Sequence, residues 1–280
     1  MNIMKKCRYG MMIYNRKDIW QGRSFDVYGE YSESEVALFR VVVQPGSIVI
    51  DVGANMGSLT MPLARIVGMT GAVLAYEPER FNFYTLSGNV ALNNLRNVMV
   101  FNQAVGKKRD LINVPELDYE RTSNFGGLEL DKDYSQAPHY PVPMTTIDDI
   151  GLNNLHFIKI DVEGMELDVV EGATATINRF RPILYVENDR KEKAPALMKY
   201  IEESLKYTMY QHSAPFWNPS NYYGVQENVF GNVVSMNLLC LPSEKTFSFD
   251  PKAMGLQPVS CTSPETTDPS HAVVSVGEVS

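Results

Sequence analysis

The sequence predicts an α/β protein built on a doubly wound, mainly parallel sheet. Three observations carry that prediction. Short apolar runs alternate with stretches of helical periodicity from Ile48 to Leu205, and most of the runs end on an acidic or amide residue. The first core run, Ile48–Ile50, leads into Asp51-Val52-Gly53-Ala54-Asn55-Met56-Gly57 and then into Leu59–Ala64, which reads as helix. Strand, glycine-punctuated turn and helix in that order open a crossover unit. Repeated units of this kind give parallel strands joined by right-handed crossovers, with helices on both faces.

Ahead of this alternation, Met11–Tyr31 mixes apolar residues with turn formers and predicts two or three short strands forming a lid or edge. Ser32-Glu33-Ser34-Glu35 then precedes Val36–Val43, a helix with acids in its first turn, stopped by Pro45-Gly46. After the first core strand come Ala72–Tyr76 as strand, Glu79–Asn93 as helix and Val98–Phe101 as strand. Residues 107–144 break the rhythm with prolines, Gly126-Gly127 and several aromatics, and they predict an inserted hairpin or covering lid. Leu155–Ile160 resumes as strand, Met165–Arg179 as helix, Pro182–Val186 as strand and Lys193–Leu205 as amphipathic helix. Tyr207–Tyr210 and Val233–Leu241 are the last strands, joined by a polar, aromatic loop. The expected organisation is an N-terminal extension (1–44), a main domain (45–245) and a disordered tail (246–280).

Composition narrows the class. The chain has 280 residues, 44% hydrophobic and 21% charged, which is ordinary for a soluble globular protein. A net charge of −8 argues against a nucleic-acid backbone as partner. Cys7, Cys240 and Cys261 form no paired framework, so a reducing cytoplasm is expected. No signal peptide and no membrane span are read. Oligomeric state is left open.

In doubly wound sheets, ligands sit beyond the carboxyl ends of the strands. Here the strand ends are Asp51, Glu77 with Pro78, Asn102 to Ala104, Asp161, and Glu187 with Asn188. A dinucleotide would want GxGxxG under its pyrophosphate, but this turn puts Asp51 before the glycines and Asn55 where a glycine would sit. A phosphate-free, cationic cofactor fits better: S-adenosylmethionine, with its ammonium, sulfonium and ribose diol. The candidate cofactor-binding residues are therefore Asp51, Gly53, Asn55, Gly57, Glu77, Pro78, Gln103, Ala104 and Asp161. Glu77 would accept both ribose hydroxyls, and Gln103 and Ala104 would flank the adenine. Asp51 and Glu77 could instead be helix-capping acids, and Gln103 and Ala104 ordinary turn residues.

These residues resemble the FkbM-type family of class I S-adenosylmethionine-dependent methyltransferases. The likeness rests on Pro45-Gly46 with Ile50–Gly57, Tyr76-Glu77-Pro78 with Asn82-Phe83, and Ala104-Val105-Gly106. It continues through Thr146-Ile147-Asp148-Asp149, Ile158–Glu166 and Val186-Glu187, over about residues 30 to 190. The resemblance implies a Rossmann-like sheet of seven strands whose last is antiparallel. It also implies methyl transfer, usually to an oxygen of a sugar, polyketide or other secondary metabolite, so a small-molecule or glycan-like acceptor is expected.

For the chemistry, methyl transfer asks for an aligned nucleophile, a proton acceptor and exclusion of water. Asp161 or His212 could be the general base, with His156 structural. Alternatively Asp161, Glu187 and Asn188 could hold Mg²⁺, similar to catechol-type O-methyltransferases. In a third arrangement Asp161 and Glu163 anchor the fold, and Glu187 pairs with Lys159 or Arg190. Phe216, Trp217, Asn218, Asn221, Tyr222 and Tyr223 offer acceptor contacts, or pack their own loop. Methyl transfer to a carboxyl or amine, a nicotinamide oxidoreductase and a non-catalytic relative are the competing readings.

Overall fold

The computed structural model describes residues 2–132 and 134–262. The chain opens with the antiparallel hairpin β1 (Asn2–Cys7) and β2 (Gly10–Asn15). The predicted third strand is instead a helix, α1 (Gln21–Tyr28). Asp18 accepts the N–H groups of Trp20 at 3.1 Å and Gly22 at 2.8 Å, and Gly29, at φ 68°, closes the far end. A capping acid and a left-handed glycine outweigh the local alternation that suggested strands.

Next come α2 (Glu33–Val42), β3 (Ile48–Val52), α3 (Thr60–Val67), β4 (Ala72–Tyr76), α4 (Arg80–Leu92) and β5 (Val98–Phe101). Short β6 (Ala104–Val105), β7 (Asp110–Pro115) and β8 (His139–Thr145) form a separate three-stranded sheet in the order β6-β8-β7. The chain returns to the main sheet through β9 (Phe157–Ile160), α5 (Glu166–Glu171), α6 (Thr174–Phe180), β10 (Ile183–Glu187) and α7 (Ala194–Lys199). It ends with β11 (Tyr207–Pro215), β12 (Val234–Pro242) and β13 (Gln257–Val259).

The single helix expected over Met165–Arg179 is two. Gly172 packs so tightly on the Gly106 carbonyl that a Cβ would lie 2.1 Å from its oxygen. Asp148 then caps the second piece, accepting from Ala175 at 3.0 Å and Thr176 at 2.7 Å. The break makes room for β6 and the one-turn helix Asp148–Ile150.

The main sheet runs β13-β11-β12-β10-β9-β3-β4-β5. β5, β4, β3, β9 and β10 are parallel, and β12 is antiparallel to both neighbours. This is the Rossmann-like sheet with an antiparallel last member, plus one strand. That extra strand corrects the expected tail: Gln257–Val259 pairs with Met209–Gln211, and Leu256 is buried. The tail's remainder, 263–280, lies outside the described residues.

Each face of the sheet has its own core. One gathers Ile50, Ile158, Leu184 and Leu238 under α5, α6 and α7; the other gathers Val49, Val73, Phe157 and Leu239 under α2, α3 and α4. Strand alternation sends successive side chains to these two layers. The chain order reverses between β3 and β9, so a crevice opens beyond their carboxyl ends.

Candidate active site

The crevice is a cavity of about 100 Å³, open to solvent, at the carboxyl ends of β3, β4, β9 and β10. Its floor is the β3–α3 turn. Gly53 (φ 73°) and Asn55 (φ 51°) both take left-handed backbone, and a Cβ on Gly53 would lie 1.7 Å from the Asp161 carbonyl oxygen. Only glycine lets the two strand ends meet there. Gly57 (φ 92°) lets the turn close against Leu86, outside the cavity lining.

Glu77 ends β4 and fixes this turn. Its Oε2 accepts from Asn55 N–H at 2.7 Å, and its Oε1 accepts from Glu79 N–H at 2.9 Å. Each oxygen keeps further acceptor capacity. Burial pushes the Glu77 carboxyl up to about 8, against the pull of those two amides and of the Lys159 charge. Pro78 also lines the cavity, and Asn102 anchors the Glu77 and Pro78 carbonyls at 2.9 Å each.

Asp51 sits elsewhere. It is 0% exposed, accepts from Thr60 Oγ1 at 2.6 Å and lies 3.3 Å from Lys159 Nζ. Its carboxylate turns inward at a strand residue whose side chain alternates away from the crevice, so the expected cofactor contact is corrected to a structural ion pair. Lys159 also reaches Gly53 O at 2.7 Å and Asp161 Oδ2 at 3.4 Å. Flanking carboxylates hold its charge against burial, with its pKa raised. Gln103 and Ala104 do not line the cavity; Ala104 is buried in β6 against Met144 and Met165.

Asp161 and Glu187 do line it, together with Glu163. The three carboxylates bring oxygens within 4.8 Å of one another. Arg190 pairs with Glu163, Glu129 and Asp189, leaving Glu187 Oε2 buried without a partner in the structure. Burial, then the neighbouring charges of Asp161, Glu163, Asp189 and Glu166, raise the Glu187 carboxyl well above the usual range. Burial and Asp161 likewise push Glu163 up to about 8.

The proposed Mg²⁺ set does not form. Asn188, next after Glu187 at the strand end, points to the opposite side, with Nδ2 3.9 Å from Met198 Sδ. Lys159 and Arg190 already neutralise Asp161 and Glu163. These residues do not fit a divalent ion, and no step is derived through one.

His212 is also displaced from its expected role. It is 8% exposed, with Nδ1 2.8 Å from Tyr185 Oη and Nε2 3.2 Å from Ser34 Oγ. Burial lowers its pKa to about 4, so it is neutral, and it does not line the cavity. His156 accepts the Ile48 N–H at 2.9 Å, at the far end of the sheet. In the aromatic loop, Phe216 alone among the named residues reaches the cavity, packing edge-on to Trp20 and Tyr31. Asn218 and Tyr222 bond to Glu30, and Tyr223 to the Lys6 carbonyl, which ties the loop to the N-terminal elements.

Several lining residues lie in segments the sequence marked only as covering elements and did not name singly: Trp20, Gln21 and Tyr31 near α1, Asn124 to Gly126 in the β7–β8 loop, and Glu35 in α2. The loop is tied down by Phe125 N–H to Asp18 Oδ2 at 3.1 Å and Asn82 Nδ2 to Phe125 O at 3.0 Å. Glu35 did leave a signal. It stands at i, with buried Leu38, Phe39 and Val42 at i+3, i+4 and i+7, so a carboxylate occupies the apolar stripe of α2. Burial pushes it up to about 7. Among the described residues, the lining carries Glu35, Glu77, Glu79, Asp161, Glu163, Glu187 and Asp189 and no Lys, Arg or His.

Comparison with known proteins adds the following. The sequence profile described as the methyltransferase FkbM domain matches residues 51–209. Among solved structures, the chain is similar to methyltransferase FkbM from Methylobacillus flagellatus KT at 21% identity and TM-score 0.46. That alignment covers 69% of this chain and 44% of the other, so the chain spans less than half of that protein's length. It is similar to a SAM-dependent methyltransferase from Aquifex aeolicus at 13% identity, covering 78% and 92% with TM-score 0.42. A SAM-dependent O-methyltransferase from Thermotoga maritima follows at 15%, covering 77% and 66% with TM-score 0.41. No curated protein matches the sequence significantly.

Proposed function

The chain belongs to the FkbM methyltransferase family, and from that premise we propose that it transfers a methyl group from S-adenosylmethionine to a hydroxyl of a small, sugar-like or polyketide-like acceptor. One observation carries the choice of cofactor: the cavity is walled by carboxylates, with no cationic side chain in its described lining. A pyrophosphate would find no cationic partner in that lining, whereas a ligand with an ammonium and a sulfonium stabilises the ionised form of the raised carboxyls. This disfavours the nicotinamide reading.

When bound, S-adenosylmethionine supplies an electrophilic methyl for in-line displacement. The chain's residues bind and orient around it. Glu77 has acceptor capacity left for a ribose diol. Glu187, with an unpartnered oxygen, and Asp161 suit the ammonium. Leu128, Leu130 and Val162 supply an apolar flank for the base. Trp20, Tyr31, Phe216 and Met236 line the acceptor side and exclude water. Trp20 Nε1 and Gln21 Oε1, buried and unpartnered, give an acceptor two polar contacts.

Calorimetric titration with S-adenosylhomocysteine tests the cofactor, and a panel of hydroxylated sugars and polyketide fragments with labelled S-adenosylmethionine tests the transfer. Micromolar binding of the first and none of NAD⁺ is expected. No binding at millimolar S-adenosylhomocysteine would sink the reading.

A further inference from the structure

Once the cofactor's contacts are assigned, one buried acid of the cavity is left without a partner. Lys159 pairs with Asp161, Arg190 pairs with Glu163 and Asp189, and backbone amides hold Glu77 and Glu79. Glu187 is taken by the cofactor's ammonium. Glu35 is 4% exposed and lines the cavity, yet no described residue reaches its carboxyl with an ion pair or a hydrogen bond. The Tyr185 hydroxyl is committed to His212 Nδ1 at 2.8 Å, and Ser32 Oγ makes no hydrogen bond. Buried side-chain oxygens almost always have a partner, so a carboxyl kept bare in a cavity wall marks the place of a ligand's donor.

Three aromatic rings line the cavity with it. Phe216 packs edge-on against both Trp20 and Tyr31, with centroids 5.4 Å apart in each pair. Tyr31 stands four residues before Glu35, and the turn between them is closed by Glu35 N–H to the Ser32 carbonyl at 3.0 Å. Ring and carboxyl are close enough that burial and the Glu35 charge together raise the Tyr31 hydroxyl. A wall of rings with a carboxylate beside it is the chemistry that holds an ammonium: the ring faces attract the cation, and the acid accepts its N–H. A neutral polyol would use the acid but gain nothing from the rings, and an anion would find no cation in the described lining. Burial pushes Glu35 up to about 7, and a cation alongside favours its ionised form.

We propose that the acceptor is a hydroxylated amine, an amino sugar or a small molecule of that chemistry, and that Glu35 with Trp20, Tyr31 and Phe216 forms the subsite for its ammonium group. The inference rests on the methyl-transfer reading and narrows its acceptor. An amine held as ammonium has no lone pair to attack with, so a hydroxyl of the same molecule takes the methyl. Glu35 and the three rings then decide which acceptor is bound.

The test titrates methyl glucosaminide, its N-acetyl derivative and methyl glucoside into the full chain near neutral pH, with and without S-adenosylhomocysteine, read by calorimetry or ligand-observed NMR. Wild type should bind the amine at least about tenfold more tightly than either neutral probe, the ratio expected for a hydrogen bond to an ionised group. Glu35→Gln should bring the three probes to similar affinity. Tyr31→Leu should weaken the amine severalfold more than the neutral probes, and Tyr31→Phe should restore it, because the ring face and not the hydroxyl meets the cation. A merely structural Tyr31 would weaken all three alike. Equal binding of amine and neutral probes by wild type overturns the subsite, as does no binding of the amine at tens of millimolar or a preference that survives Glu35→Gln. Any methyl passed to the amine probe from labelled S-adenosylmethionine should appear on oxygen, and an N-methyl product would also overturn it. Failure of S-adenosylhomocysteine to bind would instead count against the proposed function, while titration of the ligand-free chain still decides the subsite.

Discussion

At the scale of single residues, the site is governed by where each acid's neighbours leave it. Glu77 illustrates the point, because it is buried, held by two amides and pushed up to about 8. Ribose hydroxyls stabilise its ionised form, so loading the cofactor releases a proton wherever Glu77 starts protonated. Affinity for S-adenosylhomocysteine should rise from pH 6 to 8 and level off above, with proton release seen by calorimetry in buffers of different ionisation enthalpy. Glu77→Gln should weaken binding by at least about tenfold, since a hydrogen bond to an ionised acceptor is worth roughly 1.5–3 kcal/mol. Unchanged affinity in that variant would remove Glu77 from the ribose site. Sequence alone placed Gly53, Asn55, Glu77, Pro78, Asp161 and Glu187 at strand ends, and all line the cavity. It misassigned Asp51, His212 and Asn188, because which way a side chain turns depends on a buried lysine, a neighbouring tyrosine and strand pleat rather than on spacing. Glu35 was readable as an acid in an apolar stripe, but its first-turn position masked it.

At the scale of elements, the β3–α3 turn shows how closely two strand ends must approach to make a crevice. Gly53 and Gly151 both take positive φ, at 73° and 71°, but only Gly53 has a neighbour in the way. Left-handed backbone alone costs an alanine about 1–2 kcal/mol. Gly151→Ala should therefore lower the urea midpoint modestly and keep cofactor binding. Gly53→Ala should lower it further and lose binding, because the new methyl displaces the Asp161 carbonyl. Equal effects of the two would mean that the contact is relieved without cost. Most core strands and helices were legible from periodicity alone. The helix α1 and the α5–α6 break were not, because Asp18 and Asp148 act through contacts made only in the folded chain.

At the scale of the molecule, the cavity makes stability depend on pH in an unusual direction. Glu35, Glu77 and Glu163 are raised to about 7, 8 and 8. A raised carboxyl contributes stability that is complete below its unfolded pKa and is lost as pH rises through its folded one. The ligand-free protein should thus melt at a higher temperature near pH 5 than near pH 8. A difference above about 4 °C corresponds to ~1–2 kcal/mol in a chain of this size. S-adenosylhomocysteine should shrink that gap, because its donors favour the ionised forms; a flat or opposite profile would contradict the reading of these acids. The strand-order switch that locates the cavity was foreseeable from the alternation of elements, whereas the eighth strand, hidden in a Ser- and Pro-rich stretch, was not. That strand has a use beyond the count. By pairing with Met209–Gln211 it occupies backbone groups that would otherwise be open at the sheet's flank. A chain cut at residue 245 would keep the cavity-lining residues yet leave the Met209–Gln211 edge open to strand addition, and it should self-associate more than the full chain in analytical ultracentrifugation.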